Sequence, residues 1–320
     1  MGRAARGAAC YDAAKLEQAV MSPVVIVAAL VAVILWGASP VAGKVAVGDL
    51  SALTVALLRT FLAGLLAAPV AFALGIRLPA TRRLQGLLLL TGFCGFIGFP
   101  LVFTFGIKIT SANHASMILA ALPIFTGAFA LLWDRRRPSR IWILGSIIAL
   151  VGEIVLIAGR GPSGGPGGGG NAASLAGDAL VLLSNVFASL GYVAGGRLQQ
   201  AGYPSTGTTF WGIAAMSALL LPVVVALLAF GGMGAELAQA STRAWLALLY
   251  MAAISSILGY VMWYWALGKG GIARVGLIQF LQPVSGVILA ALLLSERISL
   301  GFALASALIL FGVWLAIRGK

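Results

Sequence analysis

Apolar residues run through this chain in ten blocks, each close to the roughly 20 residues a helix needs to cross a hydrocarbon core of about 30 Å. The blocks cover 24–47, 51–74, 84–107, 112–133, 141–159, 175–196, 205–230, 244–268, 273–294 and 298–317, with short polar breaks between them. None shows the period-two alternation of a membrane β-strand. Backbone groups in lipid must be paired within their own segment, so blocks this long and uniform predict helices. The pattern predicts an all-α integral membrane protein with ten transmembrane helices. Composition agrees, at 61% hydrophobic and 9% charged residues.

The formal charge of +13 raises the question of a nucleic-acid partner. Its placement argues against one, because the basic residues sit in short scattered loops without a contiguous basic face. With ten spans, the termini and the even-numbered connections share one side. That side holds most of the Lys and Arg, including Arg77, Arg82, Arg83, Arg135, Arg136, Arg137, Arg140, Arg197, Lys269 and Arg318. The opposite loops hold Lys44, Lys108, Arg160, Arg243 and Arg297. This asymmetry predicts that both termini are cytoplasmic. Residues 1–21 are a polar, Ala-rich N-terminal extension, with Met21 an alternative start. Two cysteines and one histidine offer neither a disulfide framework nor a metal site.

Residues 161–170 read Gly-Pro-Ser-Gly-Gly-Pro-Gly-Gly-Gly-Gly. Such a run behaves as a flexible linker, and it leaves five spans on each side. One register of the first half on the second places Pro123 on Pro283, Arg137 on Arg297, Ser139 on Ser299 and Gly152 on Gly312. An odd number of spans per half makes the second half enter the membrane from the opposite side. The expectation is two inverted five-helix repeats, at 22–160 and 175–320, joined by a linker at 161–174. In such folds the substrate site lies near the midplane between the repeats.

Several short stretches resemble the drug/metabolite transporter superfamily, in its ten-helix form built from two EamA domains. They are Leu35-Trp36-Gly37-Ala38-Ser39, Leu58-Arg59-Thr60-Phe61, Ser111-Ala112 through Leu122-Pro123, Gln282-Pro283, and Leu294-Ser295-Glu296-Arg297. The first half departs from the family's Glu-Arg signature with Arg136-Arg137. Within the superfamily the likeness runs toward aromatic amino acid exporters of the YddG type. The resemblance implies a transporter, not an enzyme, that exports amino acids or related metabolites without a cofactor.

Arg59 and Glu153 are the most expensive intramembrane side chains in this reading. Both lie roughly 9–12 Å from the outer surface at 1.5 Å per residue, so they are expected to form a structural charge pair. A proton-carrying Glu153 is the alternative. Pro40 removes a helix hydrogen bond about one turn ahead of itself, which places Trp36 and Ser39 at a kink suited to lining a cavity. Asn185 and Ser189 lie at comparable depth in the sixth block. Gln279 and Gln282 put two amides on one face before Pro283, while Phe99, Phe103, Tyr260 and Trp263 form aromatic stripes. These ten residues are the candidate substrate-binding set, with helix packing as the alternative role for each. His114 is expected at a gate or interface.

Two rival functions stay open at this point. One is a multidrug or other metabolite carrier of the same fold; phosphorylated substrates would need cavity cations, for which Lys44 and Arg59 are the candidates. The other is a membrane-embedded lipid-modifying enzyme, which would need ionisable groups clustered at one interface. The Gly-rich run lacks the Lys-Ser/Thr ending of a phosphate loop, so ATP hydrolysis is not expected. The partners expected are a small-molecule substrate and the lipid bilayer, with monomer and homodimer both open.

Overall fold

Small hydroxyl residues punctuate the apolar blocks. Ser22, Ser51, Thr81, Ser111, Ser174 and Ser241 each accept a hydrogen bond from the backbone N–H three residues on and open a helix. Each satisfies an N–H that the first helical turn leaves unpaired. The structure is a computed structural model that describes residues 22–133, 137, 139–158, 174–270, 275, 278–279, 281–295 and 300–318. The side chains at 153, 156–158, 283, 302, 313, 316 and 317 lie outside that description.

The first half consists of α1 (Pro23–Asp49), α2 (Ala52–Ala73), α3 (Arg82–Ile109), α4 (Ala112–Trp133) and α5 (Arg140–Ala158). The second consists of α6 (Leu175–Gln200), α7 (Ser205–Ala229), α8 (Thr242–Gly270), α9 (Leu281–Leu294) and α10 (Leu300–Arg318). A short helix, Met233–Gln239, joins α7 to α8. Among the described residues no strand occurs. Seven of these helices are long and apolar enough to cross a membrane, while α5, α9 and α10 carry the shorter apolar stretches Arg140–Gly152, Val284–Leu294 and Ala303–Gly312. The protein is an all-α integral membrane protein. Large apolar side chains such as Leu144, Ile147, Leu219, Val225 and Phe311 stand exposed on the outer faces, as a lipid environment requires.

The helices pack in pairs that exchange when the first five are swapped with the last five. α2 packs on α7 and α5 on α10; α3 on α6 is matched by α8 on α1, and α4 on α6 by α9 on α1. The α5–α10 contact is made through glycines. A Cβ on Gly152 would lie 2.9 Å from the Ile309 backbone nitrogen, and one on Gly312 2.7 Å from the Gly145 carbonyl oxygen. The two backbones therefore meet where the aligned glycines of the two halves fall.

Four of the described helices are interrupted, α4 by a 3₁₀ turn at Leu119–Ala121. α1 breaks at Ala38, in the turn before Pro40, whose ring nitrogen has no proton to give. α3 and α8, which hold corresponding places in the two halves, contain π-helical segments at Phe93–Gly98 and Tyr250–Gly259. A π turn shifts the register of the side chains that follow it and recurs at functional sites. Side chains from neighbouring helices take carbonyls of both segments. The Thr60 hydroxyl donates to the Phe96 carbonyl, and Trp36 Nε1 donates to the Ser255 carbonyl at 3.0 Å.

At one end of the bundle the two halves are tied by reciprocal carboxylates. Glu236 accepts the Ser51 N–H at 3.1 Å, at the start of α2, and Asp49 accepts the Ser241 N–H at 3.0 Å, at the start of α8. Partial burial by itself would raise the Glu236 carboxyl. Hydrogen bonds from Thr54 and Ser51 and the charge of Lys108 outweigh it and hold the group below its ordinary value of 4.5. A carboxyl depressed in the folded state adds stability above its unfolded value, and that stability is lost as pH falls through the folded value. Thermal stability should therefore drop as pH falls below about 4.5, and Glu236→Gln should flatten that drop. A melting series of both proteins across this range, equally steep in each, would refute the contribution.

Candidate functional site

The interrupted stretches of α1, α3 and α8 meet α2, α4, α6 and α9 around one internal cavity. Trp36, Ser39, Arg59, Phe99, Phe103, Leu119, Leu122, Tyr192, Tyr260 and Gln282 line it. Its free volume is about 20 Å³, enough for a single water. The site is thus contracted, and a larger occupant requires its walls to separate.

One wall is an aromatic box. The Trp36 ring stacks on Tyr192 with centroids 5.9 Å apart and planes 13° apart. Tyr260 meets it edge-on at 4.9 Å, and Trp263 stands behind at 5.4 Å. Phe99 and Phe103 stack at 5.3 Å on another side. Gly259 allows this assembly, because a Cβ there would lie 2.6 Å from Trp36 Nε1.

The other wall is polar. The Ser39 and Ser255 hydroxyls lie 2.8 Å apart. Arg59 is buried, donating from Nε to Ser256 Oγ at 3.2 Å and from Nη2 to Ser255 Oγ at 3.4 Å. Its guanidinium carbon stands 5.9 Å from the centroid of the Phe99 ring. Gln282 is buried, and its Oε1 has no partner among the described residues. Gln279 is buried beside Tyr192.

Trp36, Ser39, Phe99, Phe103, Tyr260 and Gln282 thus converge as the sequence suggests, with Trp263 one layer behind. Asn185 and Ser189 take a different place and bind α6 to α4. Leu122 N–H bonds to Leu119 in the 3₁₀ turn Leu119–Ala121, which releases the Ile118 carbonyl, and Asn185 Nδ2 donates to it at 2.8 Å. The Ser189 hydroxyl donates to the Leu122 carbonyl at 3.3 Å. The partners of Arg59 are hydroxyls and a ring; the side chain of Glu153, expected as its mate, lies outside the described residues.

Lys44 and His114 lie in a polar layer toward one end of the bundle. The Lys44 ammonium donates to the Ile107 and Thr110 carbonyls at 3.2 and 2.6 Å, capping the C-terminal end of α3. His114 Nδ1 lies 3.0 Å from a carboxylate oxygen of fully buried Asp178, and the Thr110 hydroxyl donates to the other oxygen. Asp178 stands in the first turn of α6, where the helix dipole favours an anion. At the opposite end Trp211 Nε1 donates to the Ile76 carbonyl at 2.8 Å and Tyr203 Oη to the Arg77 carbonyl at 3.0 Å.

Sequence reasoning missed Tyr192, Asp178 and the serine pair of α8. Tyr192 follows Ser189 by one helical turn and could have been found from that stripe. Asp178 and His114 open two helices that start on the same side, so their equal depth was the available signal. Ser255 and Ser256 face Arg59 only because of the π segment, and no sequence spacing announces that.

Apolar helices around a central cavity of aromatic and polar side chains are the arrangement of a membrane transporter. The pattern of the EamA-like transporter family matches the chain twice, over residues 23–158 and 175–318, and the chain belongs to that family. It is 31% identical over 276 residues to the "Uncharacterized transporter YdeK" of Bacillus subtilis strain 168, covering 86% of this chain and 89% of that protein. It is 29% identical over 214 residues to a Salmonella typhimurium protein named "Probable amino-acid metabolite efflux pump", covering 65% of this chain and 68% of the other. One solved crystal structure superposes with a TM-score of 0.61 at 19% identity, over 91% of this chain and 97% of its own, which shows the shared fold.

Proposed function

We propose that this transporter is a secondary carrier that exports amino acids, aromatic or amphipathic, or related small metabolites by alternating access through the central cavity. The observation that carries the reading is the cavity itself, where an aromatic box stands opposite buried polar groups. Rings accept an apolar side chain and polar groups fix a charged head, the usual division of labour in small-molecule sites. The Salmonella relative's name points to the same class of cargo. Its two halves are inverted five-helix repeats, 22–160 and 175–320, in the inner membrane with both termini cytoplasmic. The twofold family match and the exchangeable helix pairs support the repeat, and the basic loops support the orientation. The interruptions of α1, α3 and α8 lie at the cavity and supply points at which the halves can move apart.

Counterflow into liposomes with a panel of amino acids, with and without a pH gradient, tests the substrate class. Phenylalanine, tryptophan or leucine should exchange; failure of every amino acid while cationic drugs exchange would favour the multidrug alternative. Reporter fusions at Lys320 and within 161–170 should read opposite sides of the membrane. A shared side would overturn the ten-helix arrangement.

A further inference from the structure

Arg59 places a permanent positive charge in the centre of the protein, and among the described residues its hydrogen-bond partners there are neutral. The residue is 2% exposed. Its two hydrogen-bond partners are serine hydroxyls with further bonds of their own. Ser256 donates to the Met251 carbonyl at 2.8 Å, and Ser255 pairs with Ser39. Nη1 is buried with no partner among the described residues, and Arg59 lines the cavity. The other polar side chains of the cavity wall, those of Ser39, Tyr192, Tyr260 and Gln282, carry no negative charge at neutral pH. Among the described residues the carboxylate found within 4 Å of a basic side-chain nitrogen is that of Asp178, beside His114 and away from the cavity lining. α5, which carries Glu153, packs on α10 and α4, whereas α2 packs on α7, α3 and the π segment of α8.

A desolvated charge without a counter-charge is held at a cost in stability, and proteins retain such groups where a ligand supplies the missing partner. A guanidinium presents a planar fork that matches a carboxylate through two parallel N–H···O bonds. We propose that Arg59 is the anchor for a carboxylate on the transported molecule, so a carboxylate is a required feature of the substrate. The anchor rests on the cavity being the transport site. It departs from a structural Arg59–Glu153 pair, and it selects carboxylates over cationic drugs. The Gln282 amide in the same cavity lining adds a neutral hydrogen-bonding group. The Phe99 ring centroid lies 5.9 Å from the guanidinium carbon.

Sodium benzoate and benzamide test the anchor directly, since they share a ring and differ in the carboxylate. Calorimetric titration of the purified full-length protein should show benzoate binding at least about tenfold tighter than benzamide, the least expected for one charge-assisted hydrogen bond. Arg59→Gln should erase that gap, while Glu153→Gln should leave it intact. If Arg59→Gln does not fold, Arg59→Lys carries the test and should narrow the gap, because a point charge lacks the fork. Equal binding of the two compounds, no binding of either to the wild type, a gap that survives in Arg59→Gln, or an undiminished gap in Arg59→Lys would overturn the anchor. A gap lost on Glu153→Gln would overturn it in favour of the charge pair. The transport reading fails separately: a benzoate gap without amino-acid counterflow removes that reading alone, and counterflow without a gap removes the anchor alone.

Discussion

Gly259→Leu should abolish transport and lower the melting temperature by several degrees. The position has no room, because even a Cβ would lie 2.6 Å from Trp36 Nε1 and 3.2 Å from Trp36 Cδ1. Trp36 cannot swing aside cheaply. Its indole N–H is bonded to the Ser255 carbonyl at 3.0 Å, and its ring is held between Tyr192 and Tyr260. Overpacking a filled interior costs about 1–3 kcal/mol, and a leucine at this crossing of α1 and α8 belongs at the upper end. Displacing Trp36 would also break the box and the serine contacts beside it, so exchange rates should fall on the order of tenfold or more. Leu258→Ala is the control, since Leu258 is 43% exposed on the outer face and should change neither quantity by much. Wild-type exchange and melting in Gly259→Leu would mean that α1 and α8 do not meet in this way.

Gln282→Leu should weaken substrate binding roughly ten- to a hundredfold, from the loss of one hydrogen bond to a charged group worth about 1.5–3 kcal/mol. Gln282 lines the cavity, and its Oε1 is buried without a partner among the described residues. Without substrate the substitution removes a buried polar atom that no described residue satisfies, so folding stability should hold or rise slightly. That opposite movement of affinity and stability is the signature to look for. Affinity measured by calorimetry and melting measured on the same samples decide it. Unchanged affinity would assign Gln282 to packing alone.

The two substitutions separate what the cavity needs for shape from what it needs for chemistry. Gly259 tests the steric requirement of the box, and Gln282 the polar requirement proposed for its occupant. The proposed anchor groups Arg59 with Gln282, in place of the pair with Glu153 that sequence depth suggests. Among the described contacts α5 packs against α10 and α4, and α2 against α7, α3 and α8.

Much of the candidate site was legible before any tertiary contact was known. The break at Ala38 follows from Pro40, so Trp36 and Ser39 were marked by a local steric rule. Phe99, Tyr260 and Gln282 were marked as large or polar residues deep in apolar blocks, where each must find a partner or line a space. Asn185 and Ser189 carried the same mark. Their partner proved to be the backbone of α4, since a 3₁₀ turn there releases a carbonyl that only the folded protein reveals. Amphipathic spacing reports which residues share a face, and it is silent on what that face meets.

The sequence by itself determined the solvent, the helical class and the approximate spans, because a bilayer forbids unpaired backbone and limits helix length. Through its aligned prolines and glycines it also pointed to two related halves. Tertiary structure alone decided which buried groups meet. The π segments of α3 and α8 rotate side chains out of regular helical register, which brings Ser255 and Ser256 to Arg59 and Tyr260 to Trp36. Asp178 likewise became the partner of His114 only when α6 packed beside α4. The physical reason is the range of the interactions. Hydrophobicity and backbone pairing act within a segment, whereas the partner of a buried charge or hydroxyl depends on which helices pack together and how each is rotated.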